Sequence, residues 1–314
     1  MNVYSIDEEI NEIDYKNINF DDKCFYWIDL NPKELREINQ SLFSFEYDTL
    51  CECESISQFA KVDFYDNYTF LVLNSLKYEN GVVKPDEFNI YLGKNYIITV
   101  SKNDVKILKE LKEEILNYKN SLFFSKDRSP SKFLYYILDR LILNDYEIIS
   151  KLENTADALE IQMMKNPEGS FLQAFLHLRH QVHTLRRCVA PLRYIGDNLL
   201  CNENNIIEKV CIKYFNQINL KIDKLMFSLE SLIQYIVLVR EAFEAELANK
   251  TNSLMKLFTI IAIFFSPLTL ITGIYGMNFK IPEYSWKFGY FYSLFLMAFV
   301  SICLFVYFKR KKWL

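Results

Sequence analysis

Apolar and polar positions follow two successive rhythms along this chain, that of strands and then that of helices. Residues 24–30, CFYWIDL, read as a strand, and NPKELREINQSLF after them as a short helix. KVDFYDN, YTFLVLNSLKYE, EFNIYLG and NYIITVSK read as further strands, with turn signals at Asn80-Gly81 and Gly93-Lys94-Asn95. Residues 103–119 have a helical pattern. A small α/β domain is expected over residues 1–125.

From there on the rhythm is helical. Ser129-Pro130-Ser131 is a helix start, with Leu134, Ile137, Leu138 and Leu141 on one face and a stop near Asn166-Pro167-Glu168-Gly169. A second helix is expected from Ser170 to Tyr194, stopping at Gly196. Asp197 to Ser266 contains neither glycine nor proline. Leu225, Leu229, Leu232, Ile236, Val239 and Phe243 alternate steps of four and three, which reads as a heptad seam joining several chains around one axis. One helix is expected from about residue 217 to 275, roughly 85–90 Å at about 1.5 Å per residue.

Residues 257–279 and 288–308 carry no charge. Each is long enough to cross a ~30 Å hydrocarbon core as a helix. The link, 280–287, is short, so an antiparallel transmembrane hairpin follows. The fold class expected is α+β: an N-terminal cytosolic domain (1–125), a helical domain with the start of the long helix (126–250), a first span (251–279), an outer loop (280–287), a second span (288–308) and a basic tail (309–314). Lys250 and Lys256 precede the first span and Lys309 to Lys312 follow the second. The positive-inside rule then puts both termini in the cytoplasm; the hairpin is expected in the plasma (inner) membrane. Tyr284, Trp286, Tyr290 and Tyr292 suit the outer interface, and Tyr307 and Trp313 the inner one.

The first span is not uniformly bulky. One face carries Asn252, Met255, Thr259, Ala262, Ser266, Thr269, Gly273 and Gly276. Small residues serve helix packing; a continuous small and polar row also suits a water-filled path, because polar groups in hydrocarbon need partners. The row ends in the asparagine of Gly276-Met277-Asn278. Pro267, mid-span, frees a carbonyl, and Gly273 and Gly276 are expected to let the backbone turn.

Charge sharpens this division. Before Lys250 there are 28 basic and 39 acidic residues; from Lys250 onward there are eight basic residues and one acid, Glu283. An acidic soluble part repels nucleic acid and attracts cations. Seven cysteines at irregular spacing form no disulfide framework, and Cys51-Glu52-Cys53 lacks the second pair of a metal clip. The acidic start, MNVYSIDEEINEID, is no secretory signal. No catalytic cluster or Walker sequence appears, so an enzyme is the weakest reading and no cofactor is expected.

Tyr275-Gly276-Met277-Asn278-Phe279, at the end of the first of two C-terminal spans, resembles the signature of the CorA family of divalent-cation channels. Asn249-Lys250-Thr251-Asn252, Met255-Lys256, Pro267-Leu268-Thr269 and Gly273-Ile274 resemble its pore helix. Pro282-Glu283, Trp286 and Gly289-Tyr290 resemble its outer loop. The resemblance implies a funnel-shaped homopentamer for passive uptake of Mg2+, with Co2+ and Ni2+ as further ions. It implies a selectivity ring of Gly276, Met277 and Asn278, the last meeting the metal through ion-bound water. Asn252, Met255, Thr269 and Gly273 would line the pore with Thr259, Ala262 and Ser266. Phe258 stands at the family's usual aliphatic gate, Ser266 where a methionine is common, and Glu241 at an acidic ring below the gate. Family members with a cation-sensing cleft carry aspartates after a Tyr-Phe pair; here Tyr214-Phe215 is followed by Asn216, Gln217, Ile218, Asn219 and Leu220. Asp63 and Asp66 are candidate sensor groups from the other side of such a cleft, and a regulatory Mg2+ is implied there.

Two other readings stand beside this one. A zinc transporter of the same superfamily would give His177, His180 and His183 a metal; residues three apart share a helix face, but six apart drift away. That branch also varies the Gly-Met-Asn centre, which is intact here. A membrane tether or sensor assembled through the long helix would need no continuous polar face.

Overall fold

The computed structural model describes residues 1–7, 10–20, 24–55, 59–116, 128–165, 170–278 and 281–311. Its contacts divide it into two compact units, Met1–Val239 and Arg240–Leu314.

The first unit is built on a seven-stranded sheet in the order β2-β1-β3-β7-β6-β5-β4. The strands are β1 (Asn2–Ile6), β2 (Ile10–Ile13), β3 (Phe25–Leu30), β4 (Lys61–Phe64), β5 (Thr69–Glu79), β6 (Val82–Leu92) and β7 (Tyr96–Ser101). Among the described residues only β3 and β7 pair in parallel. The β5–β6 hairpin turns on Asn80 and Gly81, at φ 52° and 80°; two successive left-handed residues give the hairpin turn that matches strand twist. Gly93 closes the next turn, because a Cβ there would lie 2.3 Å from the Tyr96 ring.

Two short helices, α1 (Pro32–Ser41) and α2 (Tyr47–Glu54), cover one sheet face. Asn31 caps α1 through Lys33 N and Glu34 N while the Glu34 carboxylate returns to Asn31 N, satisfying several of the first turn's open donors. Leu35, Ile38, Phe45, Leu50 and Cys53 pack there against Tyr26, Ile28, Phe70, Val72, Tyr91, Ile98 and Val100. On β3, Trp27 projects to the opposite face, with its ring 5.0 Å from that of Phe133, and Phe133 opens α4 (Pro130–Lys165). The remaining helices of this unit are α3 (Lys106–Leu116), α5 (Ser170–Cys201) and the first part of α6 (Ile212–Tyr275).

The structure corrects the reading of Gly196. α5 runs through it to Cys201. The glycine is needed because α6 passes close by: a Cβ on residue 196 would stand 2.6 Å from Asn219 Oδ1. β1, β2 and α2 had no counterpart among the elements expected from the sequence. The expected stop at 166–169 and the end of the helix expected over 103–119 lie outside the described residues.

The long helix is one element, Ile212–Tyr275, but its heptad seam has a different use. Leu225, Leu229, Leu232, Ile236 and Val239 are all buried within the single chain. α6 is tied on one side to α4, by the Lys221–Asp139 ion pair and by Tyr235 OH donating to Glu160 Oε2 at 2.6 Å. On the other it is tied to α5, by Asn219 Nδ2 donating to Asp197 Oδ1 at 2.8 Å and by Arg193–Asp223 at 3.6 Å. Phe243, the last residue of the expected seam, is half-buried; from Leu225 to Val239 the seam is filled from inside the chain and by itself gives no ground for association.

The second unit holds the rest of α6, a 3-10 turn at Pro282–Ser285 and α7 (Gly289–Arg310). Both helices are long and apolar enough to cross a membrane, and in each only 6% of the most apolar window is buried. A core helix of a soluble protein would be mostly covered. They run antiparallel, with the Phe264 and Phe308 rings 5.8 Å apart. The loop meets α7 tightly: a Cβ on Gly289 would lie 2.3 Å from the Glu283 carbonyl oxygen.

Candidate functional site

The residues expected to line a path fall on one exposed row of α6. Asn252, Met255, Phe258, Thr259, Ala262, Ser266, Thr269 and Gly273 are all exposed in the chain. Ser266, Thr269, Leu270, Gly273, Ile274 and Met277 border a shallow groove. A Cβ on Gly273 would meet nothing within 4 Å, so no neighbour in its own chain requires a glycine there. Thr259 and Thr269 donate their hydroxyl hydrogens to the carbonyls of Met255 (2.8 Å) and Phe265 (2.9 Å). Their oxygen lone pairs are left outward as acceptors, the polarity that the waters around a cation need.

Of the two glycines expected to let the backbone turn, Gly276 forms a turn directly after the last helical residue, whereas Gly273 does not turn. Gly273 lies inside α6, and among the described residues the only glycine with positive φ is Gly81. Gly276 N donates to Thr272 O at 2.9 Å and Met277 N to Ile274 O at 3.2 Å. Gly276, Met277 and Asn278 follow the last helical residue and are exposed; Phe279 and Lys280 lie outside the described residues. Glu283 sits in the 3-10 turn beyond them. Trp286, Tyr290, Tyr292 and Tyr307 are exposed, as interfacial aromatics require. The side chain of Tyr284, and Trp313 altogether, lie outside the described ones. Glu241 is exposed on α6.

The candidate sensor groups belong to the first unit. Asp63 lies on β4 and Asp66 in the exposed turn after it. Asp63 is not a free carboxylate: Lys61 Nζ lies 2.8 Å from its Oδ2 and 2.8 Å from Glu52 Oε1. Burial works against the Lys61 ammonium, but the bonds to Asp63 and Glu52 outweigh it and hold its pKa above the usual lysine range. Sequence reasoning overlooked Lys61, although residues two apart on a strand share a face. Gln217 is exposed on α6. Among the aspartates at the α4, α5 and α6 contacts, Asp197, Asp139 and Asp223 are each engaged, by Asn219, Lys221 and Arg193.

His177, His180 and His183 are exposed on α5, and His177 Nε2 lies 3.1 Å from the Gly81 carbonyl. Among the described residues no group of three or more His, Cys, Asp or Glu side chains is placed to hold a metal ion.

An α/β unit, one very long helix and an exposed apolar helical hairpin give a two-span membrane architecture. Residues 22–310 match the family described as CorA-like Mg2+ transporter protein. The chain belongs to that family. It is 30% identical over 263 residues to the cobalt/magnesium transport protein CorA of Thermotoga maritima, covering 83% of this chain and 74% of that protein. The complete structure of the CorA magnesium transporter from Methanocaldococcus jannaschii superposes with a TM-score of 0.86 at 19% identity, over 100% of this chain and 98% of that one. The cytoplasmic domain of ZntB from Vibrio parahaemolyticus gives 0.66 at 10% identity, over 79% of this chain and 98% of that domain. At those identities both structures speak for the fold alone. The chain is a CorA-type divalent-cation transporter and not an enzyme.

Proposed function

We propose that the chain carries hydrated Mg2+, with Co2+ and Ni2+ as further ions, into the cell through a homopentameric channel in the inner membrane, with both termini cytoplasmic. The supporting observation is the row from Asn252 to Gly273, small or polar at Asn252, Thr259, Ala262, Ser266, Thr269 and Gly273, larger at Met255 and Phe258, and left exposed by the described residues of its own chain. Several copies turned inward would give that row water to face. Asn278 at its outer end would accept hydrogen bonds from the ion's waters. Mg2+ dehydrates reluctantly, so a neutral carboxamide ring can hold the aquated ion, whereas a carboxylate ring would bind too tightly for fast exit. Glu283 would raise the local cation concentration.

The membrane potential suffices as driving force: a divalent ion gains roughly 4–5 kcal/mol across about 100 mV. Met255 and Phe258 would close the path by narrowing and dewetting it, with Glu241 as an acidic ring below them. Internal Mg2+ bound near Asp63 and Asp66 would bias that closure.

The test is Mg2+-sensitive dye uptake in liposomes. Wild type should pass Mg2+ and be blocked by a cobalt hexaammine ion, which mimics the hydrated metal; Asn278→Ala should lose most flux or most block. Equal flux and equal block in both proteins would reject Asn278 as the selectivity residue. Zn2+ passing in preference to Mg2+ would favour the zinc reading instead.

A further inference from the structure

The turn after β4 is joined to the loop that leads into the long helix by the side chain of Asn204. Asn204 lies in the loop between α5 and α6, half-buried. The two hydrogens of its Nδ2 face three acceptors on the β4–β5 turn: Tyr65 O at 2.8 Å, Tyr68 O at 3.1 Å and Thr69 Oγ1 at 3.0 Å. Its Oδ1 accepts from Ile206 N at 3.3 Å, within its own loop. Oδ1 also stands 3.4 Å from the Thr69 hydroxyl, a donor on the turn, so both ends of the carboxamide are in use and the turn holds each of them.

Neither side is slack. The turn is closed by Tyr65 N donating to Tyr68 O at 2.9 Å, and the two tyrosine rings stack 4.6 Å apart. In the loop, Asn202 and Asn205 hold left-handed φ values of 46° and 53°. Asn202 bonds Ile207 twice, accepting from its N at 3.0 Å and donating to its O at 2.9 Å. Ile206, Ile207 and Cys211 are buried. Glu208 N donates to Ser131 Oγ at 3.4 Å, which adds the start of α4 to the same cluster. Eight residues after Asn204, α6 begins at Ile212.

We propose that Asn204 is a positioning residue for transport: it makes the β4–β5 turn and the first turns of α6 move as one body, so that a charge change at the turn reaches the helix that continues into the first span. Asp66 occupies that turn and Asp63 the strand before it. The functional half of the proposal rests on internal Mg2+ acting near these aspartates; the mechanical half does not.

Two arms on the full-length chain in lipid nanodiscs or liposomes separate those halves. In hydrogen exchange, Asn204→Ala should speed exchange about tenfold in peptides covering 61–72 and 206–218 together, the effect of losing bonds to part-buried carbonyls; Asn204→Asp, which loses the donors but keeps an acceptor for the Thr69 hydroxyl, should speed both by a smaller factor. A rise on one side alone, or on neither, overturns the proposal. In dye uptake, both variants should keep wild-type flux at low internal Mg2+ while the inhibitory internal Mg2+ concentration shifts at least about threefold. A merely structural role would lower the melting temperature and leave that concentration unchanged, which also overturns the proposal. If internal Mg2+ fails to inhibit wild type, the regulatory reading falls, and the exchange arm still decides whether Asn204 fastens the two elements.

Discussion

Asn219 of α6 lies across Gly196 of α5, so close that a methyl group on residue 196 would stand 2.6 Å from Asn219 Oδ1. Asn219 is not free to swing away, because its Nδ2 is anchored to Asp197 Oδ1 at 2.8 Å. Two effects of Gly196→Ala therefore oppose each other. Alanine in mid-helix is favoured over glycine by about 1 kcal/mol, whereas overpacking a tight contact costs about 1–3 kcal/mol. Gly196→Ala should lower the stability of the wild-type chain by about 1 kcal/mol and cost clearly less in an Asn219→Ala background, where Ile222 Cδ1, 3.0 Å from the added Cβ, is the neighbour that remains. A four-variant melting series on the full chain in detergent measures this; an equal loss in both backgrounds would show that the Asn219 contact is not what keeps a glycine there.

That pair also explains what the sequence could and could not reveal. A lone glycine at the end of a helical pattern reads the same whether it stops a helix or lets another one approach, and only α6 decides between them. The heptad seam has the same ambiguity: Leu225 to Val239 show that a face is covered, but periodicity does not say by which chain, and here α4 and α5 cover it. β1 and β2 were hidden because acidic residues crowd the short apolar run of Val3, Tyr4 and Ile6. α2 was hidden because no side chain caps its start. Strands β3 to β7, α1 and both spans were legible, since turn chemistry, a capping box and uncharged length are local signals. The polar row on the first span was legible as a row; Lys61 beside Asp63 and Asn204 beside Tyr65 depend on the fold around them.

A buried carboxyl makes stability depend on pH. Asp145 of α4 is 1% exposed, and its Oδ1 has no hydrogen-bond partner. Burial pushes its pKa well above the ordinary 3.8, against a smaller opposing bond from Asn144. The nearby Cys188 thiol of α5 is also pushed up, to about 11, chiefly by burial; Arg187 opposes this and Asp145 adds to it. Between pH 3.8 and its own folded value, Asp145 keeps in the native state a proton that the unfolded chain has released. Stability therefore falls as pH rises through that window and levels off above it. Asp145→Asn should flatten this fall and leave the chain more stable than wild type near neutrality. Melting temperatures across the pH range test it, and parallel curves for the two proteins would count against the assignment.

Gly273 separates packing within the chain from lining of a path. Its Cβ position is open, so Gly273→Leu should leave the melting temperature of the detergent-solubilised chain unchanged or slightly higher, since leucine is the better helix former. If the row faces a conduit, the same substitution fills it in every copy, and Mg2+ flux in liposomes should drop at least about tenfold. Unaltered flux would place this face against lipid.

Phe258 tests how the path closes. It and Met255 are 63% and 60% exposed on α6, so neither is a core residue whose loss would unfold the chain. A ring of phenylalanines in a narrow passage repels water and stops hydrated ions without touching them. Phe258→Ser offers hydroxyls to the same waters while keeping the helix. On the proposed gate, flux in the presence of internal Mg2+ should then rise severalfold, with block by cobalt hexaammine retained if Asn278 forms the outer site. Phe258→Leu, which restores an apolar side chain, should return flux to the wild-type level. If serine and leucine behave alike in the uptake assay, dewetting at residue 258 is not the gate, and closure must come from another level of the helix.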